Sequence, residues 1–203
     1  MSYLLAHPQH VAILAGAHLV LVAAALACAL LIAIPLGLFA ARRPRWRAWI
    51  SGTLGAIYTI PSLAVLALLV EAVGLGPAPI FIALIAYGQF MLVRNVIAGV
   101  LSVDPAQSDA ALGVGMSPLQ VTLRIEVPQA LPVIVGGVRV CTVAMIALAT
   151  LGGYVGAGGL GSLIFLGLTL HHTDEIVAGS LAVCALAVAC DLALRRLEQT
   201  VKR

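Results

Sequence analysis

Residues 1–41, 48–70, 72–93 and 140–173 hold no Lys, Arg, Asp or Glu. Each run is longer than the ~20 apolar residues that cross a hydrocarbon core about 30 Å thick. Only 9% of the 203 residues are charged, against about 25% in a soluble domain, so water is the wrong solvent for this chain. The sequence predicts an all-α polytopic membrane helix bundle of about five transmembrane helices, with spans near 17–40, 51–73, 79–100, 132–155 and 176–195. No linker, low-complexity tract or compositional break interrupts residues 1–203, and a single transmembrane domain is expected.

The few charges are segregated. Arg42, Arg43, Arg45 and Arg47 follow the first span, Arg124 lies between the third and fourth, and Arg195, Arg196, Lys202 and Arg203 follow the fifth. Under five spans these regions share one side. The N-terminus, the 74–79 turn and the 156–175 loop hold no Lys or Arg and fall on the other. The positive-inside rule then sets the C-terminus and the 101–131 loop in the cytoplasm and the N-terminus outside. No basic region precedes the first apolar run, so the N-terminus does not read as a cleaved signal peptide. Cys28, Cys141, Cys184 and Cys190 all fall within spans and read as small core residues. His171 and His172 form a loop pair without further ligands, so no metal is expected.

The longest polar interruption reads SDAALGVGMSPLQVTLRIEVPQALP, residues 108–132. Asp104-Pro105-Ala106-Gln107 and Ser117-Pro118-Leu119-Gln120 share one grammar: a capping residue, Pro at the first helical position and Gln at N3. Two short helices are expected, the first stopping near Gly113–Gly115 and the second before Pro128. With no catalytic constellation in it, the loop reads as a docking surface. Ala110, Ala111 and Gly115 remove bulk where another protein approaches, and Asp109 offers one charge. An amphipathic connector resting on lipid headgroups is the plainer alternative. A nucleic-acid-reading helix-turn-helix is disfavoured because Arg124 is the loop's only basic residue. No G-x-x-x-x-G-K-[ST] occurs, so no ATP site is expected in this chain, and it does not read as an enzyme. Gly156 to Gly161 fits G-x-G-x-x-G but follows a spanning helix rather than a strand, and no nucleotide cofactor is inferred.

At this point the residues resemble a known family. Asp109-Ala110-Ala111, three residues, Gly115, nine residues and Ile125-Glu126-Val127-Pro128 match the "EAA" docking signature of ABC importer permeases, with Asp109 in place of Glu and Val127 in place of Leu. The chain from about 15 to 195 is similar to the osmoprotectant branch, which carries glycine betaine, choline and carnitine. The stretches behind that are IPLG at 34–37, YTIPSLAVLALL at 58–69, VRNVIAGVLSVDP at 93–105 and GAGGLG at 156–161. The resemblance implies a type I importer permease fold in the bacterial inner membrane, paired with a second permease subunit as homo- or heterodimer. It implies an ABC ATPase subunit, which binds the ATP, gripping the 101–131 loop. An extracytoplasmic substrate-binding protein would deliver the solute. A permease for methionine or another small solute is the runner-up, and a membrane scaffold without transport is a reading of another class.

Two arginines flank the loop just inside the spans. Arg94 and Arg139 either snorkel to the headgroups or brace the loop, with Asp104 or Asp191 as candidate partners. Trp46 and Trp49 read as interfacial anchors. Tyr58, Tyr87, Tyr154 and Phe90 are candidates to line a path for a cation, through ring attraction. Glu71, near the outer end of the second span, is the acid that could serve as a counter-charge.

Overall fold

Proline opens half of the helices, as a residue without an N–H can at the first helical position. The computed structural model describes residues 2–201, so Lys202 and Arg203, part of the predicted cytoplasmic charge, lie outside the described residues. In chain order the helices are α1 (Ser2–Ala6), α2 (Pro8–Ala41), α3 (Pro44–Thr59), α4 (Ser62–Val73), α5 (Pro77–Leu101), α6 (Pro105–Gly113), α7 (Pro118–Val121), α8 (Val127–Ala149), α9 (Gly161–Leu170) and α10 (Thr173–Val201). Among the described residues, α2, α5, α10 and a continuous rod over Pro118–Gly153 are long and apolar enough to cross a membrane. A fifth span results if α3 and α4 count as one bent element.

That bend corrects the reading of residues 51–73 as one straight span. α3 and α4 meet at 88°. Pro61 lacks an N–H and crowds the preceding residue, and Ile60 accordingly sits extended at φ −67°, ψ 132°. A second correction concerns Pro128, where the second loop helix does not stop. Residues Thr122–Glu126 widen into a π turn, with the Val127 N–H bonded to the Thr122 carbonyl, and the helix runs on through Pro128 and Pro132. The wider turn relieves the clash a proline ring makes with the preceding turn. The 156–175 segment is also more than a loop. Gly156, Gly158 and Gly159 turn the chain at positive φ, and α9 then folds back so that Gly167 meets Ile176 and Gly179 meets Ile164 of the α9–α10 pair.

The core forms around α5, which packs on α2, α8, α3 and α4. Ala25, Ala29 and Ala33 are fully buried, and Gly37 continues the row four residues on. Lipid offers no hydrophobic drive between helices, so small residues that let backbones approach are what bring α2 onto α5. A β-carbon at Gly37 would lie 2.5 Å from Cγ1 of Val96. Two polar ties add register: His18 Nε2 lies 3.0 Å from the Ile146 carbonyl, and Gln89 Nε2 donates to the Ala29 carbonyl at 3.0 Å. At the opposite end of the bundle, Arg139 of α8 pairs with two acids of α10. Its Nε lies 2.9 Å from Asp191 Oδ1 and its Nη1 2.8 Å from Glu198 Oε2. Seven residues apart, those acids lie two turns along one helix face.

The loop between α5 and α8 keeps the predicted elbow. Asp104 caps α6 by accepting the Ala106 N–H at 3.0 Å, while Gln107 is engaged elsewhere, so a full capping box does not form there. Ser117 and Gln120 do form one at α7. α6 ends in a paired turn, with Met116 N–H bonded to the Ala111 carbonyl and Gly115 N–H to that of Leu112. This arrangement requires a left-handed residue after the cap, and Gly115 supplies φ +88°.

No atom lies within 4 Å of a β-carbon built on Gly115, so the requirement within this chain is the backbone angle rather than room. Gly115→Asn should be tolerated, Gly115→Ala should cost about 1–2 kcal/mol locally, and Gly115→Val more. Protease cleavage between Asp104 and Pro118 should quicken in that order. Arg139→Met removes the guanidinium shared by Asp191 and Glu198 and should lower stability by about 1.5–3 kcal/mol. Arg139→Lys should fall between, since it keeps the charge without the planar fork. Thermal unfolding in detergent reads the difference.

Candidate functional site

Two features of the fold are equipped to do something: the loop at one end and a cavity at the α3–α4 break. Asp109, Ala110, Gly115 and Pro128 are exposed and Ile125 is half-buried. Ala111 is buried at 7% exposure, which corrects the expectation that it faces an outside surface; its methyl packs into this chain. The sequence reading missed the loop's apolar knobs. Leu112, Val114, Leu119 and Leu123 are 46%, 82%, 65% and 56% exposed on the segment between α5 and α8. Exposed aliphatics clustered on a capped, rigid loop suit contact with another protein.

The loop is braced, though not by the residues first suspected. Arg42, at the end of α2, donates from Nη2 to Glu126 Oε2 at 2.7 Å. Gln129 Nε2 donates to Gln107 Oε1 at 2.5 Å and ties α6 to the base of α8. The Arg42 side chain is 41% exposed, so the pair orients the loop more than it stabilises the protein. Arg94 makes no ion pair among the described residues; its guanidinium rests 5.1 Å above the Phe90 ring one turn earlier on α5. Asp104, offered as its partner, is occupied as a helix cap. Arg139 does meet Asp191, but the contact fastens α8 to α10 rather than bracing the loop. Trp46 and Trp49 stand exposed on the first turns of α3, Trp46 with its ring 6.1 Å from that of Phe39.

The broken helix creates the second feature. Breaking α3 strands carbonyls that a continuous helix would pair. The Thr59 hydroxyl donates to the Ala56 carbonyl at 2.7 Å, the Ile60 N–H to that of Ile57, and the Tyr87 hydroxyl to that of Ile60 at 2.6 Å. Tyr87 belongs to α5, so the central helix holds the break in place. Beside it opens a cavity of about 520 Å³, walled by the break itself, by Tyr87, Gly88 and Met91 of α5, and by Cys141 and Met145 of α8. No charged side chain lines it.

Of the residues expected along a path, the structure brings Tyr58 and Tyr87 together at the cavity. Tyr58 and Tyr87 share the cavity, ring centroids 5.9 Å apart at 64°, and Phe90 stacks on Tyr58 at 4.8 Å and 26°. Tyr154 lies elsewhere, against Phe165 with centroids 5.6 Å apart. Glu71 is exposed on α4 and does not reach the cavity. The pairing was foreshadowed by the Ile60-Pro61 dipeptide inside an apolar run, which marks where backbone must leave the helix.

Residues 33–203 match the family described as binding-protein-dependent transport system inner membrane component. The carnitine transport permease protein OpuCB of Listeria monocytogenes is 37% identical, covering 89% of this chain and 83% of that protein. The choline transport system permease protein OpuBB of Bacillus subtilis (strain 168) is 35% identical, covering 90% and 84%. The osmoprotectant import permease protein OsmW of Salmonella typhimurium is 35% identical, covering 98% and 94%. Among solved structures, the inward-facing MetNI methionine ABC transporter superposes with a TM-score of 0.85 over 95% of this chain and 96% of its own, at 18% identity. At that identity the likeness speaks for the fold alone. The bent second span, the capped loop and these matches agree: the chain belongs to the binding-protein-dependent transport system inner membrane component family and is a membrane permease of the ABC importer kind.

Proposed function

We propose that this permease carries quaternary ammonium osmoprotectants, such as glycine betaine, choline and carnitine, through the inner membrane. The observation behind this reading is that relatives named for these solutes are 33–37% identical over most of the chain. An uncharged cavity bearing two tyrosines is chemically consistent with such a solute. The energy comes in trans. A cytoplasmic ATPase subunit docks on the 101–131 loop through Asp109, Ala110, Gly115, Ile125, Pro128 and the exposed leucines, and ATP stays on that subunit. An extracytoplasmic binding protein presents the solute, and a second permease subunit completes the pathway, because one chain of this size encloses little space. Methionine is the competing solute.

Proteoliposomes holding the permease with its ATPase should take up choline, glycine betaine or carnitine when ATP and the binding protein are supplied. Uptake of methionine alone would transfer the assignment to the runner-up. The orientation is N-terminus outside and C-terminus cytoplasmic. A reporter fused to the C-terminus should be active inside the cell, and a Thr173→Cys chain in a cysteine-free background should react with an impermeant maleimide from outside; the reverse pattern refutes the orientation.

A further inference from the structure

The cavity at the break has features that transport in general does not require. Tyr58 and Tyr87 present ring planes 64° apart with centroids 5.9 Å from one another, so they form a corner rather than a stack. Phe90 lies flat behind Tyr58 and fixes its plane, and the hydrogen bond to Ile60 fixes Tyr87. The C-terminal end of α3, at Thr59, lies on the cavity wall. Such a helix end carries partial negative charge, and interrupted helices in membranes turn it toward cations. Met91 and Met145 add polarizable thioethers to the wall. The volume, about 520 Å³, falls within the roughly 300–1,000 Å³ of ordinary ligand sites.

We infer that this cavity is a weak subsite for the trimethylammonium group of the solute, with Tyr58 and Tyr87 as the cation-contacting walls; the inference rests on the quaternary ammonium reading above. The chemistry fits that group and excludes its near relatives. A quaternary ammonium has no N–H to satisfy, so it loses little on leaving water for aromatic faces and sulfur. A primary ammonium would give up water hydrogen bonds and find too few acceptors in exchange. No carboxylate lines the cavity, which keeps the binding weak and the solute free to leave.

The test uses the full chain purified with its ATPase and without the binding protein, where saturation-transfer NMR detects millimolar contacts. The probe is choline, read at its N-methyl singlet, against 3,3-dimethylbutan-1-ol, its neutral carbon isostere. Choline should bind about two- to thirtyfold more tightly than the isostere, the span expected of cation–ring attraction. Tyr58→Phe should keep the choline signal, Tyr58→Leu should reduce it severalfold, and Tyr154→Leu, which alters an aromatic pair outside the cavity, should leave it unchanged. Equal binding of choline and the isostere to the unaltered chain overturns the inference without reference to any variant. So does a choline signal that survives Tyr58→Leu or disappears with Tyr154→Leu. Proteoliposomes that transport none of the three solutes would overturn the functional reading instead, and those that transport them while the NMR signal is absent would remove the subsite alone.

Discussion

A backbone carbonyl in hydrocarbon has no water to turn to, so a span that breaks must find its partners inside the protein. This chain breaks at Ile60–Pro61, and the answer comes partly from the local chain and partly from Tyr87 of α5. The rest of the architecture follows from having α5 close enough to serve. The row of Ala25, Ala29, Ala33 and Gly37 lets α2 press against one side of it. On another side α8 closes in where Gly137 faces Asn95 and Gly99 faces Ala130. A bulkier helix surface would hold these backbones apart, and the break would lose the hydrogen bond that Tyr87 supplies.

The parts of this fold that were legible in the sequence are those governed by sums over many residues or by short local rules. Spans three and five follow from transfer energy: α5 covers the charge-free run 72–93 from Pro77 onward, and α10 covers the 176–195 span. The elbow follows from Gly115 and from the Ser117 box, both local. The break was misread because averaging hydropathy over residues 51–73 is blind to a backbone angle, although Pro61 stood in view. Pro128 was misread for the opposite reason: a proline was taken as a stop, whereas a single wide turn absorbs it.

The site was legible only in part, and distance in sequence explains the difference. Arg42 and Glu126 are 84 residues apart, and nothing in either segment announces the other; Arg42 read as one of four topological arginines. Tyr58, Tyr87, Tyr154 and Glu71 were all assigned to spans, but membership of a span does not fix the face. Helix rotation, set by packing, sent Tyr58 and Tyr87 to one cavity and left Tyr154 and Glu71 outside it. Arg139 found Asp191 because both lie toward one end of neighbouring helices, a placement that the count of residues in each span could approximate.

The helical element from Pro118 to Gly153 links the loop to the cavity. Its 36 residues form one helical element about 54 Å long, with the π turn at Thr122–Glu126 within it. It is gripped by Arg42 at the π turn, by α10 at Arg139, and it presents Met145 to the cavity. By helical rise, Arg139 lies about 26 Å from Thr122 and about 9 Å from Met145 along it. The loop end and the cavity wall are thus parts of one helix, joined by backbone rather than by side-chain packing alone.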